Sequence, residues 1–248
     1  MLDGLYSEFL KLKKTGYYVC ILLVCLICLL FSTMNRKFIS SLNWYGYFFN
    51  FEIIAFIIFY TLVIPIIISF IFIREFRYKT DIVAFSYPNG RFGAFINKFL
   101  MSVLVVAIIY AISYVFIVLS GFLFVKHPLT SALLLNHCKV FLVSFIFQIA
   151  LIPLTILIAL IGKSMTVSAI YSIVLVISNL KYMLGSKYNN FIFSILPAAP
   201  VAKIKVPVYK ISIPLNMVIS KSDISLGIFV FIVSITGCIL FYRKADIH

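Results

Sequence analysis

The chain has 248 residues, 64% of them hydrophobic and 11% charged, with a mean hydropathy of +1.16. A soluble domain sits near half apolar and a quarter charged, and a chain of this size cannot hide the excess in one compact core. The formal charge of +14 comes from 21 Lys and Arg against 7 Asp and Glu; the basic residues fall in the breaks between apolar runs, which assigns them to phosphate headgroups and topology rather than to nucleic acid.

Within a bilayer every backbone polar group must be satisfied inside its own element. The apolar runs are continuous, without strict alternation, so they predict helices rather than a barrel. In chain order, residues 1–14 (MLDGLYSEFLKLKK) place Leu2, Leu5, Phe9 and Leu12 at helical spacing, with Glu8, Lys11, Lys13 and Lys14 off that stripe. This predicts an amphipathic helix on the membrane surface. A first span is expected over 17–33, retained rather than cleaved, since no small-residue cleavage site follows it. The break Asn35-Arg36-Lys37 leads to Trp44, Tyr45 and Tyr47, an aromatic group suited to the interface. A long second span is expected over 49–73, with Pro65 a candidate kink.

A charged connection, 74–98, leads to a third span over 99–125. The fourth covers 140–161, and Gly162-Lys163-Ser164 forms a very short turn into the fifth, 166–184. Segment 185–225 holds Pro197, Pro200, Pro207 and Pro214 but is apolar in places, which predicts a re-entrant piece buried against protein. The sixth span is 226–242. The expected fold is therefore all-α, an integral membrane domain of six transmembrane helices over 1–248. Both termini are placed in the cytoplasm of a plasma-membrane protein. The inner segments then hold eleven Lys and Arg and the short outer segments four; the long outer segment adds six more. Short loops and the first helix weigh most in this rule.

No catalytic template fits. Gly162-Lys163-Ser164 ends like a phosphate-binding loop, but Leu157 stands where the first glycine belongs, and a membrane helix precedes it. His127, His137 and His248 form no H-E-x-x-H, and none has an acidic sequence neighbour within a span. Cys25 and Cys28 read C-x-x-C on an apolar helix without a second pair, which favours packing over metal or redox chemistry. These patterns predict no metal, nucleotide or catalytic site on the chain. Glu52 alone approaches the interior of a span. It is read either as an interfacial carboxylate paired with a nearby Lys or Arg, or as a contact for a cationic group of a substrate.

The connection reads REFRYKTDIVAFSYPNGRFGAFINK. Thr80 can cap a short helix with Asp81 in its first turn. Ile82, Val83 and Phe85 give that helix an apolar side, and Pro88-Asn89-Gly90 stops it. The residues alone leave two readings, a docking helix for another protein or an interfacial connector. The spacing Glu75-x4-Thr80-x7-Pro88-x2-Arg91-x6-Lys98 closely resembles the second-to-third-helix connection of ABC-2 type transporter permeases. Lys79 and Asn97 stand where that family usually has glycine.

The resemblance implies a coupling helix near Thr80 to Tyr87 that sits in a cleft of a separate ATP-binding cassette ATPase, which would hold the ATP and Mg. It also likens residues 5–14 to the family's elbow helix and the Leu196-Pro197 region to its re-entrant outer segment. A second permease subunit, identical or homologous, would complete the pathway. Length and span count are similar to the small bacitracin-resistance and lantibiotic-immunity permeases of Gram-positive bacteria, which implies peptide export in antibiotic resistance. A non-transporting sensor or scaffold and a membrane enzyme without a recognised motif are the alternatives. The basic outer segment, 185–225, would repel cationic peptides and attract anionic headgroups.

Overall fold

A computed structural model describes residues 2–13, 17–33, 43–77, 90–185, 192–202 and 219–244. All of its regular elements among these residues are helical. Helix α1 is Leu2–Lys13 and α2 is Tyr17–Thr33. Helix α3 runs continuously from Trp44–Ile54 through a π-helical turn, Ala55–Phe59, into Tyr60–Arg77. Then come α4 (Gly90–Phe124), α5 (Ser131–Gly162) and α6 (Met165–Met183). A 3-10 turn, Ile192–Ala198, leads into α7 (Ala199–Ala202), and α8 is Lys221–Lys244.

Among the described residues five stretches are long and apolar enough to cross a membrane: Trp44–Arg74, Phe92–Phe124, Ser131–Gly162, Met165–Met183 and Lys221–Arg243. Helix α2 is as apolar, but its 17 residues reach only about 26 Å at 1.5 Å per residue, just short of a hydrocarbon core of about 30 Å. Several helices overrun the apolar runs that announced them. Helix α4 starts at Gly90, directly after Pro88-Asn89, and α5 starts at Ser131 with Thr130 in extended backbone before it. Apolar runs mark the hydrocarbon; hydrogen bonding carries a helix on through the headgroup layer.

Helix α3 is the most buried span and α8 the least. Tyr47, Phe48, Phe51, Phe56, Tyr60 and Phe72 of α3 are fully enclosed. Trp44, expected at the interface, lies inside the bundle, 2% exposed. Its indole Nε1–H donates to the His127 carbonyl at 2.6 Å, and its ring covers Gly121, where a Cβ would come within 2.2 Å of it. Pro65, the candidate kink, lies within the continuous helical stretch Tyr60–Arg77; the change of hydrogen-bond pattern falls earlier, at Ala55–Phe59.

Buried hydroxyls mostly close on their own helices. Ser69, Ser102 and Thr155 donate to the carbonyls of Pro65, Lys98 and Leu151 at 2.6, 2.9 and 3.1 Å. This satisfies polar side chains without a partner helix. Helices α5 and α8 pack in parallel: Gly227 lies against Phe147, Gly237 against Leu157, and the Cys238 thiol donates to the Pro153 carbonyl at 3.2 Å.

Candidate functional site

Two polar centres interrupt this apolar interior. The first is Glu52, 1% exposed on α3. Its Oε1 lies 2.7 Å from Nδ1 of His137 on α5. The imidazole stacks on the Phe48 ring, with centroids 4.4 Å apart and planes 14° from parallel. Among the described residues Glu52 Oε2 has no hydrogen-bond partner.

The partner is therefore a histidine rather than the expected Lys or Arg, and the carboxylate is enclosed by the bundle. Burial of a carboxylate is tolerated only when it is paired. Sequence reasoning missed His137 because it sought an acidic neighbour along the chain. A usable signal was depth: Glu52 and His137 lie early in α3 and α5, and the Trp44–His127 bond sets those two helix starts at one end of the bundle.

The second centre surrounds Asn179 on α6, which is fully buried. Its amide Nδ2 donates to the Ile57 carbonyl at 3.2 Å and faces Thr61 Oγ1 at 3.1 Å. Ile57 lies within the π-turn, where the shifted ladder frees backbone groups. The Thr61 hydroxyl donates to the Phe56 carbonyl at 2.9 Å, and Ser194 donates to Asn179 Oδ1 at 2.5 Å. One amide thus joins α3, α6 and the 3-10 turn Ile192–Ala198. The turn and α7 are themselves enclosed: Ser194, Leu196, Ala198 and Ala199 are each 1% exposed or less.

The resemblance-implied residues divide into three sets. Thr80, Asp81, Ile82, Val83, Phe85 and Pro88 lie outside the described residues. Glu75 and Arg91 lie in the helical ends of α3 and α4. Lys98 is 2% exposed, enclosed by the bundle, with Nζ 5.8 Å from the Phe72 ring centroid.

Both roots of the 75–98 connection touch α1. Arg74 Nη1 donates to the Lys11 carbonyl at 3.1 Å, and Nη2 stands 3.9 Å from Glu8 Oε2. Glu8, placed off the apolar stripe by its spacing, is 6% exposed and also holds Lys11 Nζ at 2.5 Å. On the other root, Asn97 packs so closely on Gly4 that a Cβ there would fall 2.1 Å from Asn97 Nδ2.

The Gly162-Lys163-Ser164 stretch is a helix–turn–helix corner. Lys163 adopts the left-handed conformation, φ 45°, and Ser164 Oγ accepts from the Thr166 amide at 3.2 Å. Among the described residues no group of three His, Cys, Asp or Glu could hold a metal ion. Cys25 is a packing residue, its Sγ 3.4 Å from Ser113 Oγ.

Long apolar helices, enclosed polar ties and a connection rooted on an amphipathic helix define a polytopic helical membrane protein. Residues 4–179 match the family described as ABC-2 family transporter protein, and the chain belongs to that family. No curated protein matches it. Membership makes it a membrane component of an ABC transporter, a family of subunits that are generally non-catalytic.

Proposed function

We propose that the chain is the permease subunit of an ATP-binding cassette exporter that removes an amphipathic peptide antibiotic, of bacitracin or lantibiotic type, from the plasma membrane. Helix α2 is the first of six spans, α1 is the elbow helix, and both termini face the cytoplasm. Ile192–Ala202 is the re-entrant outer segment. Two permease subunits, identical or homologous, form the pathway over two ATPase subunits that bind ATP and Mg.

The observation that supports coupling is the rooting of 75–98. Arg74 and Asn97 hold its two ends to α1, and Lys98 lies over Phe72. A push on the segment around Thr80–Phe85 then moves α3, α4 and α1 together. Packed interfaces of this kind shift between discrete arrangements. Asp81, Ile82, Val83 and Phe85 are the ATPase-facing residues in this reading, and Glu52, enclosed as the helices stand, is the carboxylate that a cationic group of the substrate would meet once they shift apart.

The test is co-purification with a cassette ATPase encoded beside the gene, followed by ATPase measurement. Wild type stimulates hydrolysis; Phe85→Ala and Asp81→Ala bind less ATPase and stimulate less. Deletion of the gene lowers the tolerated concentration of the peptide antibiotic. A chain that copurifies with no such ATPase sinks the proposal.

A further inference from the structure

An open apolar groove of about 460 Å³ runs between α5 and α8. Its size falls within the range of ligand sites, about 300–1,000 Å³. Val143, Ile146 and Ala150 of α5 form one wall, and Ile224, Ile228 and Phe231 of α8 form the other, with Phe147 between them. Among the described residues no polar side chain lines it, so it suits hydrocarbon over its length. Gly227 makes the room: its missing side chain leaves Phe147 as the nearest neighbour, at 3.4 Å from a built Cβ.

Both walls continue into a lysine at the same end. Lys139 lies four residues before Val143 on α5, and Lys221 lies three before Ile224 on α8. Residues three and four apart share a helix face, and α5 and α8 run parallel, so both lysines lie above one mouth. Both are exposed. The combination is a hydrocarbon slot beneath two lysines; the one carboxylate beside them in sequence, Asp223, accepts from the Ser220 amide at 3.0 Å in the helix cap.

We infer that the groove binds one acyl chain of a bilayer phospholipid whose anionic headgroup is held by Lys139 and Lys221. The charge pair selects the headgroup and the slot selects the chain. Occupancy fixes α8, the least buried span, against α5 and, through Phe147 and Leu196, against the 3-10 turn.

Native mass spectrometry of the full chain in detergent tests this, with phosphatidylglycerol and phosphatidylcholine of identical acyl chains as probes. Wild type retains phosphatidylglycerol in preference to phosphatidylcholine. Lys139→Glu with Lys221→Glu lowers that preference roughly tenfold or more. Gly227→Phe fills the slot and lowers retention of both lipids, whereas Gly227→Ala retains them. An unchanged emission maximum of Trp44 marks folded variants, and the exposed lysine changes keep the test decisive if Gly227→Phe misfolds. Equal retention of the two lipids by wild type overturns the proposal. So does disulfide cross-linking of two copies through Ile228→Cys, since the slot would then be filled by a second chain.

Discussion

Glu52 and His137 stand 85 positions apart in the chain and 2.7 Å apart in the bundle. This contact ties α3 to α5 in the interior and leaves one buried carboxylate oxygen, Oε2, without a hydrogen bond among the described residues. Removing either partner strands the other, at about 3–5 kcal/mol for a broken buried pair. Glu52→Leu and His137→Leu are each expected to lower thermal stability sharply in detergent. The double change should recover much of the loss, because an apolar pair needs no partner. A double-mutant cycle of melting midpoints measures this; additive losses would mean that the two residues do not interact.

Asn179 makes a sharper test, because its amide donates at Nδ2 and accepts at Oδ1. Asn179→Asp keeps the shape but replaces the two-hydrogen Nδ2 donor by a carboxyl that only accepts when ionised and donates once when protonated, and Asn179→Ala removes the donor altogether. Asp and Ala at this position should both destabilise, by about 1–3 kcal/mol. Ser194→Ala, which removes the donor to Asn179 Oδ1, should destabilise as well. Urea or thermal unfolding in detergent ranks the three variants; an Ala variant as stable as wild type would exclude the donor role.

Trp44 is the single tryptophan of the chain, so its fluorescence reports one place. Being 2% exposed, it should emit at short wavelength and resist acrylamide. Gly121→Ala places a methyl within 2.2 Å of the ring as it stands. The ring must move, at a cost of about 1–3 kcal/mol. Emission should shift to the red and quenching should rise; an unchanged spectrum would contradict the packing.

The Arg74 contacts predict a coupling defect separable from folding. Arg74→Lys keeps the charge but loses the forked geometry that reaches both the Lys11 carbonyl and Glu8. With the partner ATPase present, Arg74→Lys and Glu8→Gln should each reduce stimulation severalfold while the melting midpoint holds. Loss of folding in parallel with stimulation would make these contacts structural alone.

How much of this was legible along the chain depended on the range of the interaction. Apolar runs located α2 to α6 and α8, because hydropathy is a property of consecutive residues. Their ends were misjudged where the helix continued into polar residues, as at Ser131 and Gly90. Periodicity found α1 but misjudged Glu8, since an amphipathic pattern assumes water on the polar face. In the fold Arg74 lies there instead. Trp44 and Tyr47 read as interface residues on type; that both pack against protein, 2% exposed, was not legible.

The sequence by itself determined a basic, helical membrane chain, and the 75–98 spacing pointed to the family that residues 4–179 match. Only the tertiary structure decided which polar groups meet. Glu52 with His137, Asn179 with the π-turn, Arg74 with α1 and the two lysines above one groove all join distant segments. Hydrophobicity is local, additive and non-directional, so it can be read residue by residue. A hydrogen bond or ion pair inside a bilayer requires two groups at one depth and one orientation, and helix packing sets both.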